Sequence, residues 1–290
     1  MKYSEFEALL ILNAVDIFGS IRIKKILKFF GSAKAALEAG PAELNSCGVF
    51  TPVMMQRFEA AKKNFIPARE IEEAKRLGVK IISLSDKEYP ELLKEIYDPP
   101  VVLYVKGSFE SCDINSIGVV GSRGASYYGL SCAKEFSSVL SRCGITIVSG
   151  MARGVDTSAH RAALDEIGRT VAVLGSGLKE IYPPENERLF YEIAEKGAVV
   201  SEFPLSTRPL AQNFPVRNRI ISGLSRGILV VEANQKSGAL ITARFASEQS
   251  REVYAIPGKV SSQTSLGTNE LIKSGAKMVT DPKEILSDLR

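Results

Sequence analysis

One histidine, His160, and four cysteines, Cys47, Cys112, Cys132 and Cys143, none in a CxxC pair, are all that 290 residues offer as soft metal ligands. A clustered His/Cys zinc site cannot be assembled from them and a disulfide framework is not expected, which points to a reducing cytoplasm. No uncharged run approaches the roughly 18 residues that a membrane helix needs. The apolar stretch Ala8 to Val15 is flanked by Glu5, Glu7 and Asp16 instead of a basic region, so neither a spanning helix nor a secretory signal is expected. The dinucleotide fingerprint GxGxxG is missing, since Gly175-Ser176-Gly177 runs on into Leu178, Lys179 and Glu180, and there is no GxxxxGK[ST] loop. An NAD dehydrogenase and a P-loop NTPase are therefore disfavoured, and no cofactor or metal is predicted. A large charge of one sign is lacking too: 37 basic against 33 acidic residues leave +4, which permits a nucleic-acid partner without arguing for one.

What is present has two textures. Residues 1–66 read as four short helices forming a compact all-α domain. Ser4 and Glu7 make a capping box for the first, and Gly19 is placed to stop it. Ser20 can cap a second helix ended by Gly31, Ser32 a third ended by Gly40, and Thr51-Pro52 opens a fourth. From Pro67 onward, short β-rich runs alternate with helical patterns. The strands are expected at Lys80–Ser83, Val101–Val105, Ile117–Val120, Ile145–Val148, Thr170–Leu174, Ala198–Val200, Ile228–Val231, Val253–Ile256 and Lys277–Val279. This alternation predicts an α/β fold: an extended Rossmann-like, mostly parallel, doubly wound sheet over residues 67–290, preceded by the helical domain.

Ligands of open parallel sheets bind beyond the carboxyl ends of the strands, where helix N-termini present unpaired N–H groups. Three such turns share Gly/Ser chemistry: Gly121-Ser122-Arg123-Gly124, Ser149-Gly150-Met151-Ala152-Arg153-Gly154 and Gly175-Ser176-Gly177. Glycine lets backbone approach an anion, serine can donate to it, and Arg123 and Arg153 offer a planar fork for phosphate. The stretch Phe214 to Leu224 is richer still. Pro215 can begin a helix whose first turns expose Arg217, Asn218 and Arg219, arginines that oppose the helix dipole unless an anion sits there. Phe214 beside them can stack on a base or pack in the core. Ser237-Gly238 and Pro257-Gly258-Lys259 supply two further turns, adding Ser237 and Lys259 to the candidate binding set. Glu202 and Glu232 lie just past strands, where they either serve as acids or bases or pair with amides and arginines. His160, a lone histidine near a helix start, reads as a structural hydrogen-bonding group.

These residues form an ordered pattern: VVGSRGASYYG (119–129), IVSGMARGVDTSAHRAAL (147–164), VAVLGSGLKEIYPPEN (171–186), SEFPLSTRPLAQNFPVRNRIISGLS (201–225), VVEANQKSGALITARFA (230–246), REVYAIPGKV (251–260) and GTNELIKSGA (267–276). In this the chain resembles the DNA-processing protein A family, DprA/Smf, across nearly all of residues 80–280. The resemblance implies a non-catalytic cytoplasmic protein that binds single-stranded DNA, usually as a homodimer, and helps load RecA recombinase in natural transformation. It places on the DNA side the Gly121-Ser122-Arg123, Ser149–Arg153 and Gly175-Ser176-Gly177 turns and Phe214, Arg217 and Arg219. The helical domain resembles the sterile-alpha-motif-like or helix-hairpin-helix domain of many members.

Three departures from the family pattern stand out. Pro184 and Ala211 occupy places where many relatives carry lysine, and the Asp16–Ser20 hairpin lacks the paired glycines of a DNA-gripping helix-hairpin-helix. The winged-helix domain that many relatives add is not expected in a chain ending at Arg290. A rival reading is a nucleoside glycosidic-bond hydrolase or transferase on a related fold, with Glu202, Glu232 or Glu270 as acid or base; a third is a small-nucleotide sensor. The small net charge also conceals local structure. Ser201 to Arg226 holds four arginines and one acid, whereas residues 67–98 hold eight acids and six bases, so a basic face at the strand ends is possible.

Overall fold

The computed structural model describes residues 3–166 and 168–289, so the predicted end points at 1 and 290 lie outside the described residues. The helical segment contains five helices instead of four: α1 (Glu5–Asn13), α2 (Gly19–Phe30), α3 (Ala33–Glu38), α4 (Pro41–Ser46) and α5 (Pro52–Asn64). The Ser4/Glu7 capping box forms, and Ser32 and Thr51 cap α3 and α5. Gly19 does not stop α1, which ends at Asn13; with φ +59° it opens α2 instead. Ser20 is therefore inside a helix, and its buried hydroxyl donates to the Asp98 carbonyl at 3.0 Å. Gly40 begins the additional helix α4, its N–H held by the Glu43 carboxylate at 2.8 Å.

Then follow α6 (Pro67–Arg76), β1 (Val79–Ser83), α7 (Glu91–Lys94), β2 (Val102–Gly107), β3 (Ser116–Val120), α8 (Tyr127–Arg142), β4 (Thr146–Ser149), α9 (Val155–Asp165), β5 (Thr170–Val173), α10 (Glu187–Lys196) and β6 (Ala198–Ser201). The chain closes with α11 (Asn213–Gly223), β7 (Gly227–Val230), α12 (Gly238–Glu248), β8 (Glu252–Ala255), α13 (Leu266–Lys273), β9 (Lys277–Met278) and α14 (Pro282–Asp288). All nine predicted strands are present, shifted by at most two residues at an end. They form one sheet in the order β1-β2-β6-β5-β4-β3-β7-β8-β9, antiparallel at β1/β2 and β2/β6 and parallel elsewhere. None of the described helices is long and apolar enough to cross a membrane.

Alternation along the strands sends successive side chains to opposite faces. Ile117, Val119 and Ile147 pack with Ala133 and Phe136 of α8 and Ala159 and Ala163 of α9, whereas Val120, Val148 and Val230 pack with Ile220 and Ile221 of α11 and Ala243 of α12. The helical segment extends the first layer: Leu10, Phe18 and Phe58 belong to one continuous core with Tyr104, Ala172 and Val199 of the sheet. Because β3 leads to β4 on one side while β7 returns to its other side, the winding direction reverses between β3 and β7. Such a reversal opens a crevice beyond the strand ends.

Candidate nucleic-acid interface

That crevice is a cleft of about 680 Å³, walled by residues 120–124 after β3, the start of α11, and the 234–242 segment that opens α12. Among the described residues its charged lining is Arg123, Arg217 and Lys236 against one carboxyl, Asp156.

The loop after β3 is tied down by backbone contacts. Ser122 N–H donates to the Glu232 carbonyl at 2.7 Å, and its hydroxyl accepts from Gly124 N–H at 3.2 Å. Gly154 adopts φ +75°, and a Cβ there would meet the Ser122 carbonyl, so that position fits glycine alone. Arg123 is exposed and lies over the Phe214 ring, its Cζ 5.1 Å from the centroid.

Phe214 is half-buried at the start of α11, with Tyr182 at 5.7 Å between centroids. A Cβ on Gly175 would come within 2.8 Å of its ring. Gly150 has the same relation to Arg217, whose Nη1 would be 2.5 Å from a Cβ there. Gly177 lies against the Pro204 and Leu205 carbonyls. The second and third glycine turns thus admit protein groups where sequence reasoning expected a ligand. Ser149 and Ser176 are buried, their hydroxyls donating to the Val119 carbonyl at 2.6 Å and the Glu180 carbonyl at 2.7 Å. The 175–177 turn does not line the cleft, and Ala152 represents the second turn there.

The expectation that Arg217, Asn218 and Arg219 are exposed is overturned: all three are buried. α11 begins at Asn213, which places them in its second turn, facing inward. Arg217 forms part of the cleft floor, its Nη1 donating to the Gly150 carbonyl at 2.8 Å and to the Val173 carbonyl. Burial lowers its pKa to about 10, against the opposing pull of Asp156. Burial in turn raises the Asp156 pKa, although Arg217 and the Ala152 N–H, 3.2 Å away, favour its charge. Asn218 lines the cleft and donates to the Gly238 carbonyl at 3.2 Å.

Arg219 points away, toward the helical segment. It donates to Asp98 at 2.8 Å and to both oxygens of Glu202, at 2.9 and 2.7 Å. Burial disfavours its charge, but the two carboxylates outweigh this and hold its pKa above the ordinary arginine value.

The remaining predicted residues divide. Ser237 lines the cleft and caps α12, accepting from Ala239 N–H at 3.3 Å. Arg153 is exposed but paired with Glu185. Lys259 is exposed beyond β8 and does not line the cleft. Of the candidate acids, Glu202 is held by Arg219, while Glu232 is buried and accepts from Ser126 N–H and Oγ, both at 2.8 Å, and from Thr264 Oγ1 at 2.6 Å. Glu270 is exposed on α13, 3.8 Å from Lys273. His160 is fully buried, Nδ1 lying 2.6 Å from Thr170 Oγ1, as a structural group would be; burial and the Arg217 charge lower its pKa to about 3.

Sequence reasoning missed Lys236, Asn234 and Tyr182. Lys236 was legible, since it immediately precedes the Ser-Gly helix start. Tyr182 was not, because only the folded chain brings it beside Phe214.

Residues 80–290 match the family of DNA recombination-mediator protein A. The whole chain is 38% identical to protein Smf of Synechocystis, spanning 74% of that protein. It is 49% identical over 211 residues to protein Smf of Escherichia coli, where the match spans only 56% of the relative. The X-ray structure of DNA processing protein A (DprA) from Streptococcus pneumoniae superposes over 100% of this chain and 99% of its own, with TM-score 0.85 at 36% identity. A DprA structure from Helicobacter pylori, described for its single-stranded DNA binding mode, covers 73% of this chain and 95% of its own, with TM-score 0.65 at 27% identity. With a family match over residues 80–290, a relative 38% identical across the whole chain and a DprA structure that superposes over all of it, the chain belongs to the DNA recombination-mediator protein A family, DprA/Smf.

Proposed function

We propose that this chain binds single-stranded DNA in the cleft at the β3/β7 reversal. The observation that carries the reading is the charge of that cleft: exposed Arg123 and Lys236 and the α12 N-terminus all line it, with Asp156 as the one carboxyl among the described lining residues. Phosphates need cations and free N–H groups, and both converge there. The H. pylori relative's recorded single-stranded DNA binding supports the assignment. Gly121, Ser122, Arg123, Asn218 and Ser237 form the contact set, with Arg217 as a buried positive floor and Phe214 as support. Ser149, Gly150, Gly175, Ser176 and Gly177 act behind it, shaping the wall, and Arg219 acts as a structural anchor.

By the same family membership, the protein acts in the cytoplasm as a homodimer that hands the strand to RecA during natural transformation, without chemistry on the strand. Fluorescence anisotropy with single- and double-stranded oligonucleotides of equal length tests the binding. A preference for the single strand of well over tenfold is expected, and equal affinity for both would overturn it. Strand exchange by RecA on DNA precoated with single-strand-binding protein tests the hand-over; no stimulation by this protein would remove it.

A further inference from the structure

We propose that the outer face of α2 in the helical segment carries the DNA strand onward from the cleft, with Lys24, Lys25 and Lys28 taking phosphates beyond those the cleft holds; the inference rests on the cleft being the DNA site. α2 has four cations, Arg22, Lys24, Lys25 and Lys28, and no acidic residue. At 3.6 residues per turn, Ile21 and the three lysines fall within one arc of about 100°, away from Ile23 and Ile26, which are buried in the core. Lys25 and Lys28 are exposed and Lys24 is half-buried. No carboxylate of the described residues forms an ion pair with any of the three. The acids nearby in sequence are engaged elsewhere: Glu5 accepts from Ala33 N–H, Glu7 from Ser4 N–H and Glu43 from Gly40 N–H, while Asp16 and Glu59 pair with Arg57 and Lys62. The charge of α2 is therefore left unneutralised.

The seat of α2 gives that charge a use. Arg219 Nη2 donates to Ser20 Oγ at 3.4 Å, and Ser20 donates to the Asp98 carbonyl, so the first turn of α2 lies beside α11, the helix that walls the cleft. α11 presents Arg217, Asn218 and Ile221 to the cleft and Arg219 toward α2. A helix with its side chains is only about 10–12 Å across. A strand leaving the cleft over the start of α11, where Val216 is exposed, therefore reaches α2 at Lys24 and can continue along Lys28 and Lys25. Burial lowers the Lys24 pKa, Asp98 opposes this and Arg219 adds to it, so an added anion favours the ammonium form. An anionic membrane, the other polyanion to weigh, asks for a broad apolar helix face. α2 commits Ile23 and Ile26 to the protein core, which leaves Ile21 and Phe29, and Phe29 packs edge-on against Phe30 at 4.9 Å. A phosphodiester backbone asks chiefly for cations in a row.

The double variant Lys25→Gln, Lys28→Gln removes charge and keeps good helix formers. Both sites are exposed, so it should melt like the parent protein. Anisotropy is read on single strands of about six and about twenty nucleotides, one short enough for a single small binding site and one longer. The double variant should bind the longer strand about tenfold more weakly at about 0.15 M salt, with the salt slope reduced by about 1.4, two phosphate contacts, and should match the parent on the shorter strand. Lys25→Arg, Lys28→Arg should keep the parent affinity for both. Parent-like binding of the longer strand by the glutamine variant, or an equal loss on both lengths, overturns the proposal. So does a glutamine variant that loses only its co-sedimentation with phosphatidylglycerol vesicles, which would give the face to a membrane. Arg123→Ala on the shorter strand tests the cleft by itself: weaker binding keeps the cleft as the DNA site whatever α2 does, and unchanged binding removes the cleft reading and this one with it.

Discussion

Arg219 Nη2 lies 2.7 Å from Glu202 Oε2, and the two side chains are only 3% and 11% exposed. The pair joins the middle of α11 to the end of β6. Through Asp98, whose carbonyl accepts from Ser20, it also connects to α2. Removing one partner leaves a buried charge uncompensated, which costs about 3–5 kcal/mol. Arg219→Ala should lower the urea midpoint accordingly, while Arg188→Ala, at an exposed i,i+4 pair with Glu192, should shift it by under about 1 kcal/mol.

Gly150 has room for Arg217 only because it has no side chain. Gly150→Ala should displace the guanidinium from the Gly150 and Val173 carbonyls, cost about 1–3 kcal/mol by overpacking, and weaken single-strand binding. Denaturant melts and anisotropy measure the two effects separately. Native stability and native affinity together would show that the floor tolerates Arg217 elsewhere.

His160 gives the fold a defined acid sensitivity. Its pKa falls from 6.5 to about 3 on folding, so the unfolded chain binds the extra proton below pH 6.5. The neutral form's advantage is therefore intact above pH 6.5 and is lost progressively down to about pH 3, at about 1.4 kcal/mol per pH unit. Asp156, whose pKa is raised, acts with the opposite sign above its ordinary 3.8, favouring the fold as pH falls. Chemical denaturation between pH 7 and 5 should show a decline in stability that His160→Gln flattens; an equal slope in the variant would contradict the assignment.

Lys236 lines the cleft and Lys259 does not. Lys236→Ala should weaken single-strand binding and reduce the salt slope by about 0.7, one phosphate contact. Lys259→Ala should leave both nearly unchanged, and the reverse order would move the binding path toward β8.

The basic charge of the 201–226 stretch was visible in the sequence, but its destination was not. Arg217 and Arg219 lie two residues apart on one helix, and they diverge because successive residues of a helix point in different directions. One lands on the carbonyls at the ends of β4 and β5, the other on two carboxylates beside the helical segment. The glycine turns show a similar gap. Composition reveals that something approaches the backbone closely at Gly150 and Gly175; whether that is a phosphate or the side chains of α11 depends on residues more than 35 positions away.

By itself the sequence determined the elements. Period-two and helical patterning, with caps at Ser4, Ser32 and Thr51, located all nine strands and most helices, because these signals act over a few neighbouring residues. It also determined the family, through ordered motifs. Tertiary structure alone decided which strand-end turn opens into a cleft. That depends on strand order, and the reversal between β3 and β7 leaves Arg123 and Lys236 facing a gap while α11 closes the turns after β4 and β5.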